Sequence, residues 1–285
     1  MIPYKHAWYK SPIDLPERTI GKFSIKHRVV TGKTPVVGAR QAYTRGLRPL
    51  NAKLSEPLLV HELHEGGHGL WMTDLPEELN QIEEMLHTVK PQGRVLVGGL
   101  GLGIVAERLA ILGCDVTVVE RSRAIIKLCA TSPGYTTVCD YIEAFLKGNH
   151  PRHQTPYDFY LLDTWCGTSE ATWWGNVMPL RRAIRNRWGS KPIIHCWAED
   201  IMLGQVQQSL VIDEMKKEML RLHNADTNNK KKFTLQDCRR WYYKYFPVDM
   251  TPAQANWFLE NVGTKAWEHK YGKMIDKVTT KEGRK

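Results

Sequence analysis

The stretch Arg94-Val95-Leu96-Val97-Gly98-Gly99-Leu100-Gly101-Leu102-Gly103-Ile104-Val105-Ala106, followed by Cys114-Asp115-Val116-Thr117-Val118-Val119-Glu120, restricts the fold of this chain more than any other. Val95 to Val97 is short, β-branched and apolar, as a strand buried on both faces of a parallel sheet must be. Gly99, Gly101 and Gly103 permit a sharp turn and the close approach of a ligand, where a Cβ would obstruct either. A helix is expected over about 102–112, with Gly113 as its stop. A second strand ends on Glu120, whose carboxylate can accept from both hydroxyls of a ribose. Strand, glycine turn, helix, strand and terminal acid in that order predict a doubly wound, Rossmann-like, mainly parallel α/β sheet holding an adenosine-type ligand.

The glycines fit two registers. Gly101-Leu102-Gly103-Ile104-Val105-Ala106 matches the dinucleotide pattern G-x-G-x-x-A, and Gly99-Leu100-Gly101-Leu102-Gly103 matches the tighter G-x-G-x-G turn of S-adenosylmethionine enzymes. Downstream residues favour the second. Val138-Cys139-Asp140-Tyr141-Ile142 reads as a third strand ending on an acid, and Tyr157 to Trp165 as a fourth ending on Asp163. Successive strands that finish on carboxylates suit a small sulfonium cation better than a pyrophosphate, and no P-loop lysine is present.

These motifs resemble the class I S-adenosylmethionine-dependent methyltransferases, and within them the spermidine-synthase-like branch. The resemblance covers roughly residues 70–197. It implies S-adenosylmethionine as cofactor, with Glu120 on the ribose, Asp140 towards the adenine and Asp163 facing the reacting centre as base or orienter of the acceptor. Gly99, Leu100, Gly101 and Gly103, with Arg121 and Tyr141 beside the acids, complete the implied cofactor contacts. Val97 stands where many methyltransferases have an acid, an absence shared with the spermidine-synthase-like branch. Cys166 in Asp163-Thr164-Trp165-Cys166-Gly167 replaces the second acid that an aminopropyltransferase uses on its amine. Methyl transfer to an unidentified small or macromolecular acceptor is the reading that follows. Its alternatives are aminopropyl transfer, a non-catalytic scaffold docking an acidic partner, and an NAD-dependent dehydrogenase.

The rest of the chain is organised around this core. An N-terminal β-rich cap is expected over 1–75, with strands at Ile20 to Val30 and Pro57 to Leu63 and a turn at Gly66-Gly67 into Leu70-Trp71-Met72. The Rossmann-like domain is expected over 76–223, from a lead-in helix ending at His87 to a fifth strand at Pro192 to Trp197 and a long amphipathic helix from Asp200 to Leu222. Asn224 to Lys232 reads as a linker, and 233–285 as a basic helical extension with a disordered tail. Residues 1–60 carry 11 Lys/Arg against 3 Asp/Glu, and residues 230–285 carry 13 against 6, so an acidic middle lies between two basic ends. Such ends could dock nucleic acid or an acidic protein face. The first residues lack the apolar core of a signal peptide and no apolar run is long enough for a bilayer, so a cytoplasmic protein without membrane attachment is expected. Six cysteines without a C-x-x-C pair read as reduced thiols.

Two further patterns bear on the site. His64-Glu65-Gly66-Gly67-His68 spells the zinc-protease string, but two glycines within one turn cost a helix about 2 kcal/mol relative to alanine. A hairpin turn is expected there and no metal site, with His61, His64 and His68 as weaker candidates for a substrate entrance. Trp165, Trp173 and Trp174 follow the fourth strand, where a doubly wound sheet forms its crevice, and are candidates for a wall against the acceptor. Trp241, Tyr242, Tyr243 and Tyr245 beside Arg239, Arg240 and Lys244 mix bases with aromatics as a nucleic-acid platform does, but helical spacing puts Trp241 and Tyr245 on a packed face with Arg239 and Arg240 outside.

Overall fold

The computed structural model describes residues 11–37, 50–130, 132–165 and 173–199, together with Met202. The chain forms two compact units, 1–171 with 179–199, and 172–178 with 200–285. The expected helix from Asp200, apart from Met202, and the linker and basic C-terminal extension with its aromatic cluster lie outside the described residues.

Six strands come first: β1 (Arg18–Ile20), β2 (Phe23–Val30), β3 (Lys33–Val37), β4 (Leu50–Lys53), β5 (Leu58–Glu65) and β6 (Gly69–Thr73). They make an antiparallel sheet in the order β1-β2-β5-β6, and a separate β3-β4 pair. The single strand expected over Ile20 to Val30 is two strands, because Gly21 turns at φ +60° between them. Helix α1 (Pro76–Val89) then leads into the second sheet, with proline at its start and Lys90 in the left-handed conformation at its end.

That sheet holds β7 (Arg94–Gly98), β8 (Asp115–Glu120), β9 (Tyr135–Cys139), β10 (Phe159–Leu162) and β11 (Ile193–Cys196), joined through α2 (Ile104–Ile111), α3 (Arg123–Cys129), α4 (Ile142–Lys147) and α5 (Met178–Trp188). All five strands are parallel, in the order β11-β10-β7-β8-β9. The expected parallel α/β fold is therefore present. Alternation along the strands divides the core. Val95, Val97, Val116, Val118, Phe159 and Leu161 share one cluster with α1, α2, α3 and with Phe23, Ile25 and Leu63 of the antiparallel sheet. Leu96, Val119, Tyr160 and Leu162 point the other way and are buried as well. Phe145 of α4 stacks on His153, which meets Tyr160 edge-on, and Arg181 of α5 donates to the Ile194 carbonyl at 3.0 Å.

Among the described residues no helix is long and apolar enough to cross a membrane. Cys114, Cys129, Cys139 and Cys196 are free thiols.

Candidate functional site

Sequence order in the parallel sheet runs outward in both directions from β7 and reverses between β7 and β10, which is where an open α/β sheet leaves a crevice beyond its carboxyl ends. The glycine loop lies there. The Asp163 amide donates to the Gly98 carbonyl at 2.8 Å and the Gly99 amide to the Val119 carbonyl at 2.9 Å, so the loop is fastened to both neighbouring strands. Gly99 turns at φ +90°, and a Cβ there would overlap the Asp163 carbonyl oxygen and lie 3.1 Å from its carbon. Glycine is thus required by conformation and by space together. Leu100 contributes backbone to the loop while its side chain is buried in the core, and the Gly103 amide donates to its carbonyl at 2.8 Å.

Glu120 is the hub. Only 7 % exposed, its carboxylate accepts from the Leu100 amide at 3.0 Å and from the Ser122 amide at 2.7 Å. One oxygen holds the glycine loop and the other holds the turn into α3, and each keeps a further lone pair. Its charge reaches Cys129, whose thiol is pushed up to about 12 by burial first and the Glu120 carboxylate second. That thiol is inert as a nucleophile.

Asp140 and Tyr141 follow β9. The third strand ends at Cys139, earlier than the sequence pattern suggests: Asp140 turns back to accept from the Tyr141 amide at 2.8 Å, and Ile142 already opens α4. The Asp140 amide donates to the Glu120 carbonyl at 3.2 Å, which carries this acid alongside the previous one. Tyr141 is 62 % exposed, an aromatic ring left open at the carboxyl end of the sheet. Arg121 is also exposed, and its carbonyl takes a long contact of 3.9 Å from the Cys139 thiol.

Asp163 is exposed, one residue past β10. Trp165 is buried at 8 % exposure, and its indole N–H has no hydrogen-bond acceptor among the described residues. Trp173 and Trp174 open a π-helical turn, Trp173–Val177, in the second unit. The backbone therefore gathers Gly99, Leu100, Gly101, Gly103, Glu120, Asp140, Tyr141 and Asp163 around one end of one sheet.

Sequence patterns gave no sign of Met72. Its thioether accepts from the Leu102 amide at 3.5 Å and sits 2.6 Å from where a Cβ on Gly101 would be. The contact joins residues 30 apart in sequence, from the antiparallel sheet to the glycine loop.

The zinc-protease string is a strand end and a turn. His64 and Glu65 close β5, the His68 amide returns to the Glu65 carbonyl at 3.1 Å, and the Gly66 amide donates to the Lys22 carbonyl at 2.7 Å. His64 pairs with Glu62 at 3.0 Å. Glu62 is held below the usual carboxylate range: burial would raise it, and Arg28 and His64 outweigh that. His61 is buried, its Nδ1 2.7 Å from Asp74 and its Nε2 accepting from the Leu15 amide at 3.3 Å, which marks it as a fastener of the N-terminal segment. Part of the N-terminal positive charge is likewise used internally, since Lys22 pairs with Glu65, Arg28 with Glu62, and Arg18 donates to the Lys127 carbonyl.

Comparison with protein-family models and with curated proteins finds no match. Among solved structures the chain is similar to a TehB-like SAM-dependent methyltransferase from Corynebacterium glutamicum, with 17% identity and a TM-score of 0.31 over 40% of this chain and 60% of that one. It is also similar to TehB from Haemophilus influenzae, with 16% identity and a TM-score of 0.29 over 61% of this chain and 65% of that one. For a putative SAM-dependent methyltransferase from Streptococcus mutans the figures are 14% and 0.34, over 71% and 50%. The chain spans less than two thirds of the length of each of these structures. None of the three bears on the spermidine-synthase-like branch.

Proposed function

We propose that this chain is an S-adenosylmethionine-dependent methyltransferase. The observation that carries the reading is a glycine loop at the reversal of strand order, clasped by Glu120 and Asp163 and followed by acids at three successive strand ends. The residues fit such a cofactor. Glu120 keeps one lone pair on each oxygen for a pair of ribose hydroxyls, and Asp140 with the open ring of Tyr141 stands where an adenine would be received. No lysine or arginine lies between Gly98 and Ala106, so the loop offers no side-chain cation to a pyrophosphate. When bound, S-adenosylmethionine supplies an electrophilic methyl group on a sulfonium leaving group.

The chain's own part is positioning. An acceptor must lie in line with the methyl–sulfur bond, and such placement can supply about 7–11 kcal/mol of a barrier in the best cases. Asp163 is the orienter or base: its backbone is pinned to the loop through Gly98, and the residue is exposed at the strand end where an acceptor would arrive. Trp165 adds a buried indole N–H beside that strand end.

Calorimetric titration with S-adenosylmethionine, its decarboxylated form and NAD tests the cofactor. Selective binding of S-adenosylmethionine is the expected result; preference for the decarboxylated form would mean aminopropyl transfer, and preference for NAD a dehydrogenase. Turnover is then followed as S-adenosylhomocysteine release with an acceptor found by screening. Asp163→Asn is expected to lower kcat at least tenfold with cofactor Kd unchanged, and unchanged turnover would remove Asp163 from the chemistry.

A further inference from the structure

We infer that Met72 is a positioning residue of the cofactor loop, so that the N-terminal antiparallel sheet is a working part of the site. The inference rests on the reading of that loop as an S-adenosylmethionine cradle.

The origin of the contact is a register shift. Leu63 pairs with Met72 and His64 with Leu70, which leaves Trp71 as an extra residue on β6. A bulge of this kind bends its strand and re-aims the side chains after it. Trp71 and Met72 are neighbours that a regular strand would send to opposite faces, yet both pack against the core, Trp71 lying edge-on to Phe23 at 6.1 Å. Met72 reaches the glycine loop. Its sulfur takes the Leu102 amide and covers Gly101, which turns at φ +54°.

That amide belongs to the turn into α2, whose N-cap, Gly103, has no side chain to cap the first helical amides. A thioether is a weak acceptor, but methionine is unbranched and polarizable and fits an irregular concavity well. The loop is consequently held at alternate amides, Leu100 by Glu120 from the parallel sheet and Leu102 by Met72 from the antiparallel one. Losing the second hold frees the part of the loop that must keep one shape for a ligand.

Titration of the unaltered chain with S-adenosylmethionine comes first; absence of binding would remove the cofactor reading itself and this inference with it. Given binding, Met72→Leu keeps the volume and drops the acceptor, and Met72→Ala drops both. Met72→Leu is expected to keep the urea midpoint and to raise the cofactor Kd about 3- to 10-fold, the range that one neutral hydrogen bond supports, with Met72→Ala raising it further. Saturating S-adenosylmethionine is also expected to slow peroxide oxidation of Met72 in the unaltered chain several-fold, read by peptide mass spectrometry. A purely structural methionine would show no such protection. Unchanged Kd in both variants overturns the inference, and so does oxidation of Met72 at the same rate with and without ligand.

Discussion

Substituting alanine at Gly99 and at Gly101 separates a backbone constraint from a side-chain one. At Gly99 the added Cβ meets the Asp163 carbonyl, which is main chain and cannot rotate away. Relief requires the ends of β7 and β10 to part, placing at risk the Asp163-to-Gly98 bond of 2.8 Å and the Gly99-to-Val119 bond of 2.9 Å. Left-handed backbone costs a non-glycine residue about 1–2 kcal/mol and each lost bond about 0.5–1.5, so Gly99→Ala should destabilise by about 2–5 kcal/mol. At Gly101 the conformational cost is similar, but the obstacle is the Met72 thioether, which has other rotamers. Gly101→Ala should therefore be partly relieved by Met72→Ala in the same chain, the double variant losing less than the sum of the singles. No side-chain truncation should rescue Gly99→Ala. Urea unfolding of the single and double variants, with S-adenosylmethionine titration of each, measures both effects. A Gly99→Ala chain within about 0.5 kcal/mol of the parent, or strict additivity at Gly101 and Met72, would refute the steric reasoning.

Three more predictions concern single side chains. Glu120→Gln keeps one oxygen but turns an amide NH2 towards the second backbone N–H, so stability should fall by about 1–3 kcal/mol and cofactor Kd rise at least tenfold; an unchanged urea midpoint would mean that the two amide bonds carry no weight. His153 is fully buried and its imidazole is lowered to about 4, by burial first and by Arg187 next, with Arg94 and His150 adding smaller repulsion. The unfolded chain, with histidine near about 6.5, binds that proton first, so stability should decline by up to about 1.4 kcal/mol per pH unit as pH falls from about 6.5 towards about 4. His153→Gln should flatten this slope in urea titrations across pH, and an unaltered slope would assign the acid sensitivity elsewhere. Arg187 donates to the carbonyls of Leu146, Gly148 and His153, a fork that lysine cannot reproduce, and Arg187→Lys should cost about 1–3 kcal/mol in thermal or urea unfolding.

What could be read in advance was whatever depends on neighbours in sequence. The β7–α2–β8 unit shows because glycine turns, apolar runs and a terminal acid are local signals. The third strand was displaced by a few residues because Asp140 satisfies the backbone amide next to it, ending the ladder before the apolar pattern ends. Tyr135-Thr136-Thr137, aromatic and β-branched, carried the strand signal instead. Met72 left no trace because its role depends on a bulge in β6 and on a partner 30 residues away. Net charge is uninformative here for a similar reason: Arg181, Arg185 and Arg187 of α5 all donate to backbone carbonyls, which a count of charges does not show.

The two ends of the parallel sheet differ in what they leave available, and this decides where ligand chemistry can occur. At the amino end several polar groups pair with one another, while His153 Nδ1 is buried without a hydrogen-bond partner among the described residues. Trp188 donates to His153 Nε2 at 3.0 Å, the Tyr160 hydroxyl lies 3.2 Å from the same nitrogen, Tyr157 donates to the Arg152 carbonyl at 2.9 Å, and Arg94 lies over the Tyr157 ring at 4.6 Å. A groove of about 470 Å³ opens there between Gly93, Tyr157, Lys191 and Ile193, but its Asp158 carboxylate already accepts from the Arg94 amide at 2.9 Å. Burial drives the Tyr160 hydroxyl up to about 12 and His153 down to about 4, so both stay neutral near pH 7. At the carboxyl end Asp163 and Tyr141 stay exposed beside a loop whose shape is fixed by Glu120 and Met72. A site needs rigid donors next to groups that a ligand can reach. The carboxyl end combines them, so substitutions around His153 should alter stability and its pH dependence while leaving cofactor Kd at pH 7 within about twofold.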